Sequence, residues 1–194
     1  KAHLEGFGSF EGVVNTKGEL YDFLRRKPGG SIFLNADNEH LCGIAAGLPA
    51  ETYGLPGKGY DVEGEAVRCA PFLELRWRPK GGEWQEVKTQ LIGAYNATNA
   101  LAAAAVGLHF GVTPEQITHA LTHYCPTNNR SELKRTERNT LVVDAYNANP
   151  TSMQAALDNF ALMESSAKLA ILGEMRELGD FSVQAHLEVL QRLL

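Results

Sequence analysis

Few side chains in this 194-residue sequence combine a reactive type with a telling position. Asp144 closes the apolar run LVVDAYNANP, and a carboxylate at the carboxyl end of a buried strand stands where open α/β sheets keep their ligands. Asn35, Asp37 and Asn38 sit in the same way at the end of SIFLNADN. Asn96 and Asn99 open an alanine-rich helix, where asparagine serves either as a cap or as a ligand contact. His3 can be a metal ligand or an ordinary surface histidine, and Lys17, on a helix, reads on its own as a solvated cation. No G-x-x-x-x-G-K-[ST] phosphate loop occurs, and PGKGYDVEG, the nearest glycine-rich stretch, lacks that spacing and a following helix. No G-x-G-x-x-G follows a strand either, which disfavours a dinucleotide-binding oxidoreductase.

The elements that must position these groups are α/β throughout. GVVNTKGELYDFLRR reads as a helix stopped by KPGG, and SIFLNADN as a short buried strand. FLELRWRPKGGEWQEVKTQL gives two alternating runs about Pro79-Lys80-Gly81-Gly82, a hairpin. NATNALAAAAVGLHFG is a helix that Gly111 can cap, and Thr113-Pro114-Glu115 opens another that runs to about Tyr124. CPTNN reads as a linker. Beyond it, the strand LVVDAYNANP, the helix TSMQAALDNFALM, the strand KLAILG and the helix FSVQAHLEVLQRLL predict a parallel sheet with short crossovers.

Composition narrows the classes. With 44% hydrophobic and 21% charged residues the chain is that of a globular protein, and a net charge of −5 without a basic stripe argues against nucleic acid as a partner. The longest apolar run, about residues 100–110, is shorter than the roughly 20 residues of a membrane span, and no secretory signal opens the chain. Cys42, Cys69 and Cys125 are too scattered for a disulfide framework or zinc cage, so free thiols and a cytoplasmic location are expected. The chain starts at Lys1 within a motif and stops within a helical run, the expectation for a piece of a longer protein.

Five segments occur in a telling order: AHLEGFGSFEGVVNTKGEL, LIGAYNATNALAAAA, NNRSE, VVDAYNANPTSMQAAL and LGEMRELG. Together they resemble the Mur ligases of peptidoglycan synthesis, and within them the branch that adds D-alanyl-D-alanine to UDP-N-acetylmuramoyl-tripeptide. The resemblance implies that residues 1–126 are the latter part of a central ATPase domain and residues 127–194 the first part of a Rossmann-like C-terminal domain, with the phosphate loop lying before Lys1. It implies an enzyme using ATP and Mg²⁺ to form an amide bond through an acyl phosphate, acting as a monomer on small-molecule substrates. The chain by itself is expected not to ligate.

The same resemblance assigns residues. His3 corresponds to a Mg²⁺-binding histidine, and Lys17 to a lysine that is carbamylated, which turns a cation into the oxygen ligand that Mg²⁺ prefers. Asn96 and Asn99 correspond to adenine contacts, for which an amide both donates and accepts. Arg130 corresponds to an arginine reaching the ATP phosphates, Asp144 to the acid on the ribose hydroxyls, and Tyr146 lies beside it on the nucleotide side. Asn147 and Asn149 correspond to groups facing the nucleotide or the incoming dipeptide. Three positions depart from the family: Tyr95 stands where many relatives have histidine, Asn129 where glycine commonly precedes the arginine, and Glu174 where aspartate is usual. The rival readings are a sister Mur or folylpolyglutamate-type ligase and a nucleotide-binding module without catalysis.

Overall fold

A computed structural model describes residues 4–127 and 129–193. A short turn of helix, α1 (Leu4–Phe7), leads into α2 (Phe10–Arg26), whose N-cap Ser9 accepts the Gly12 N–H at 3.0 Å. Next come β1 (Ile32–Asn35), α3 (Glu39–Ala45), β2 (Ala50–Gly54) and β3 (Val62–Arg68). The hairpin predicted about residues 79–82 is β4 (Glu74–Pro79) with β5 (Gln85–Lys88). The five strands form one sheet in the order β1-β2-β3-β4-β5, parallel from β1 to β3 and antiparallel from β3 to β5.

Three elements, the helix α3, β2 and the full length of β3, carry no clear pattern in the sequence. AETYG and VEGEAVR mix charge with small residues and carry no clean alternation, because β2 and β3 lie inside the sheet and their ladder partners hold them. Arg25 ties α2 to this layer. Its Nε donates to the Ala46 carbonyl at 3.2 Å and its guanidinium also bonds the Ile44 carbonyl, so a cation satisfies the carbonyl end of α3.

Across the sheet lies α4 (Asn96–His109), followed by α5 (Pro114–His123). Ala97, Ala100, Leu101, Ala104 and Ala105 of α4 pack on Val62, Leu75, Trp77 and Val87, and Ile117 of α5 joins the same core. The alanines let the helix approach closely, and Gly64 marks the point of closest approach. A Cβ there would lie 2.5 Å from Leu101 Cδ2 and 2.7 Å from the Arg76 carbonyl oxygen. Trp77, fully buried, donates its indole N–H to Thr118 Oγ1 at 3.2 Å. The predicted caps are present: Gly111 has φ +78° just past the end of α4, and Thr113 with Gln116 forms a capping box on α5.

The second part of the chain departs from the expectation. β6 (Glu132–Arg135) and β7 (Thr140–Val143) form an antiparallel pair, and α6 (Pro150–Leu162) packs against α7 (Ser182–Gln191) around Leu157, Met175, Leu178, Ala185 and Val189. KLAILG is not a strand: Leu169 and Ile171 are 80% and 89% exposed. A strand exists only where a neighbour completes its ladder, and among the described residues β7 pairs with β6 alone.

Candidate functional site

Several of the expected residues, Asn96 and Asn99 on one side and Arg130, Asp144 and Tyr146 on the other, lie next to a contact between the first part of the chain and the second. Gly93, at φ +93°, begins the turn that feeds α4, and a Cβ at this position would overlap the Tyr95 ring. Tyr95 occupies the N-cap position of α4 without capping it. Its hydroxyl instead makes a short hydrogen bond with the hydroxyl of Ser131, on the other side of the junction.

Asn96 is therefore the first residue of the helix rather than its cap, and it is buried. Its Nδ2 donates to the Ile92 carbonyl at 2.8 Å, and its Oδ1 accepts from Asn99 Nδ2 at 3.0 Å. Those two bonds fix both amides. Asn99 is exposed, and its own carbonyl oxygen and second N–H remain for a ligand.

On the other side, Arg130 sits between Asn129 and Ser131, two non-glycine residues at φ +56° and +51°. Left-handed backbone is sparsely populated for L-residues and is concentrated at functional sites. The turn is braced from the end of β7: Asp144 Oδ1 accepts the Ser131 N–H at 3.3 Å, and the Asn129 carbonyl accepts the Ala145 N–H at 2.8 Å. The Arg130 guanidinium lies 3.8 Å from the centroid of the exposed Tyr146 ring, a stacked cation–π arrangement that holds a flexible side chain in one direction. Burial of its carboxyl among these groups pushes Asp144 above the ordinary aspartate range, against the pull of the Ser131 N–H and of Arg130, although the residue as a whole is exposed.

Other expected residues lie elsewhere or serve the fold. Lys17 is exposed on α2, and His3 lies outside the described residues. No group of three His, Cys, Asp or Glu side chains suited to a metal occurs among the described residues. Asn149 is the N-cap of α6 in a capping box with Ser152, so its side-chain Oδ1 accepts the Ser152 N–H at 3.0 Å and holds the helix start. Asn147 is exposed, with Oδ1 accepting the Ala148 N–H at 2.9 Å. The polar end of β1 is likewise engaged: Asn38 caps α3, while Asp37 accepts from the Leu55 N–H at 2.6 Å and from Lys58 at 2.7 Å. In the glycine-rich stretch, the N–H groups of Gly57 and Gly59 point at the Glu63 carboxylate, at 3.1 and 2.8 Å, so the loop encloses its own anion.

Comparison with known proteins decides the family. The pattern of the Mur ligase middle domain matches residues 1–107, and that of the Mur ligase glutamate ligase domain matches residues 129–194. The chain belongs to the Mur ligase family. It is 34% identical over 195 residues to the UDP-N-acetylmuramoyl-tripeptide--D-alanyl-D-alanine ligase of Mycobacterium tuberculosis, with 95% of this chain and 38% of that protein covered. For the ligase of the same name from Bacillus subtilis the identity is 32%, covering 97% of this chain and 40% of the relative. Among solved structures, MurF from Acinetobacter baumannii superposes with a TM-score of 0.81 at 28% identity, over 97% of this chain and 41% of that one. The chain thus spans about 40% of the length of the curated relatives it matches.

Ser131 and Tyr95 of this Mur ligase chain had no role assigned from the sequence. The signal was present in part, since Ser131 follows Arg130 in NNRSE and Tyr95 departs from the family's histidine, but a contact across 36 positions leaves no local pattern.

Proposed function

We propose that this chain forms the nucleotide-facing part of an ATP-dependent ligase that joins D-alanyl-D-alanine to UDP-N-acetylmuramoyl-tripeptide. The observation that carries the reading is the meeting of Tyr95, Asn96 and Asn99 with Arg130, Ser131, Asp144 and Tyr146 at one junction. The names of the relatives supply the substrates. The domain boundary near residues 126–127 falls just before that junction, between the end of α5 and the Asn129–Ser131 turn.

The chemistry of the donors fits a nucleotide. Asn99 presents one acceptor and one donor, as an adenine edge requires, and Asn96 holds it in place. Asp144, once ionised, accepts two hydroxyl hydrogen bonds of a ribose, and Arg130, braced on Tyr146, offers a planar fork to phosphate oxygens. Bound ATP supplies the phosphoryl group that activates a carboxylate for attack by an amine. The chain's own contribution is to orient the nucleotide and, by closing the two parts on each other, to keep water from the activated carboxyl.

Mg²⁺ would be held by His3 and carbamylated Lys17. An unmodified Lys17 is a cation and cannot ligate, so the exposed ε-amino group on α2 must first react with carbon dioxide. Asn147 and Asn149 would face the nucleotide or the incoming dipeptide. Asn147 is the freer of the two, because the cap anchors Asn149.

The test is ADP titration of the chain by calorimetry with Asn99→Ala and Asp144→Ala variants. Loss of a hydrogen bond to a charged or buried polar group predicts a drop in affinity of about tenfold or more for each. Unchanged affinity in both variants would refute the placement of the nucleotide.

A further inference from the structure

We propose that Tyr95 is a positioning residue for the nucleotide: its hydroxyl holds Ser131, and through the Ser131 turn it sets the directions of Asp144 and Arg130. The inference rests on the nucleotide reading above and deepens it, because it names the group that joins the adenine side of the site to the ribose and phosphate side.

Three observations lead to it. The turn from Asn129 to Ser131 places two L-residues in left-handed backbone on either side of Arg130, a conformation that persists only where the surroundings hold it. Within the second part of the chain the holding groups are Asp144 and the Ala145 N–H, and the contact from the first part is the Tyr95 hydroxyl on the Ser131 hydroxyl. Ser131 is only 4% exposed, so its hydroxyl depends on a protein partner rather than on solvent.

Tyr95 is itself constrained. Its ring lies against Gly93 at a distance that leaves no room for a Cβ, and its backbone continues directly into Asn96, which is locked by Ile92 and Asn99. Burial pushes the phenol upward and Asp144 adds to the rise, while hydrogen bonds with Ser131 and Asn96 draw it down, so the ring is coupled to both sides of the junction. A displacement at α4 is thereby passed through two hydrogen bonds to Asp144: one between the Tyr95 and Ser131 hydroxyls, and one from the Ser131 N–H to the carboxylate.

A merely structural tyrosine would affect stability without affecting which part of the nucleotide is read. The test therefore compares ADP with 2′,3′-dideoxy-ADP on wild type, Tyr95→Phe, Ser131→Ala and the double variant, together with amide hydrogen exchange at Ser131 and Ala145. Wild type is expected to prefer ADP by about tenfold, the cost of losing hydrogen bonds to a carboxylate. Each single variant should bring that ratio close to one, and the double variant should lose no more than either single, because both act on one path. Exchange at Ser131 should quicken in Tyr95→Phe while the β3 and β4 amides stay protected.

If the wild-type preference persists in Tyr95→Phe and Ser131→Ala, the positioning role is overturned and the nucleotide reading stands. If wild type binds neither ligand, or binds both equally, the assignment of Asp144 to the ribose fails instead. The exchange measurement then decides the contact on its own, and equal protection of Ser131 in wild type and Tyr95→Phe overturns it.

Discussion

Asp144 carries opposite demands. Burial favours its neutral form, whereas the Ser131 N–H and Arg130 favour the carboxylate, and the balance lies above the ordinary aspartate range. An acid whose pKa is raised by folding binds its proton more tightly in the native state. The native state is therefore penalised progressively as pH climbs from the ordinary aspartate value through the raised one, and the penalty is constant above that. Carbon-detected NMR of the Asp144 carboxyl should show a midpoint above that of an unfolded aspartate, and Arg130→Ala should raise it further. An unchanged midpoint in Arg130→Ala would mean that the guanidinium does not act on this carboxyl, and a lower one would contradict the stated pull. Lys17 gives a second expectation: in ¹³C-bicarbonate, a carbamate resonance should appear and vanish in Lys17→Arg, and its absence in wild type would remove Lys17 from the proposed Mg²⁺ ligands. Asp144 was noticeable from its type and its place at a strand end, whereas Lys17 stood out only through the family resemblance. The tie between Tyr95 and Ser131 was not readable there, since it depends on the fold bringing α4 to β6.

At the scale of elements, the strongly signalled pieces formed as expected and the weakly signalled ones depended on neighbours. α2, α4, α5, α6 and α7 carry caps, prolines at the first turn or apolar spacing, and each is present. The β4–β5 hairpin has its Lys80–Gly82 turn, with Gly81 at φ +72° and the Gly82 N–H donating to the Pro79 carbonyl at 2.9 Å. β2 lacked a pattern because ladder partners on both sides define it, and KLAILG had the pattern but found no ladder. The position of α4 matters most, because its first turn carries Asn96 and Asn99. Gly64→Ala must push Leu101 or the Arg76 backbone aside, so a loss of about 1–3 kcal/mol is expected from overpacking. Thermal unfolding reads that loss, and weaker ADP binding in the folded variant would show that the seat of α4 is felt at the site. A variant as stable as wild type would mean that the helix is seated less closely than Gly64 implies.

For the whole molecule, a mixed sheet with its helical cover and a smaller unit of two strands and two helices meet at the polar junction between Tyr95 and Ser131. The apolar cores lie on either side of it, one around Trp77 and one around Leu178, and the groups between them are amides, a carboxylate, a guanidinium and phenols. No helix among the described residues is long and apolar enough to cross a membrane. The family was legible from five short segments in order. The junction was legible only as separate residues, because neither composition nor periodicity says which side chains from two distant stretches will face one another. A nucleotide seated there must touch both parts at once. The most direct measurement is a two-dimensional amide NMR spectrum of the chain titrated with ADP. The account predicts shifts at Asn96 and Asn99 together with Arg130, Ser131 and Asp144, saturating with one binding constant. Shifts confined to one side, or centred away from both, would contradict it.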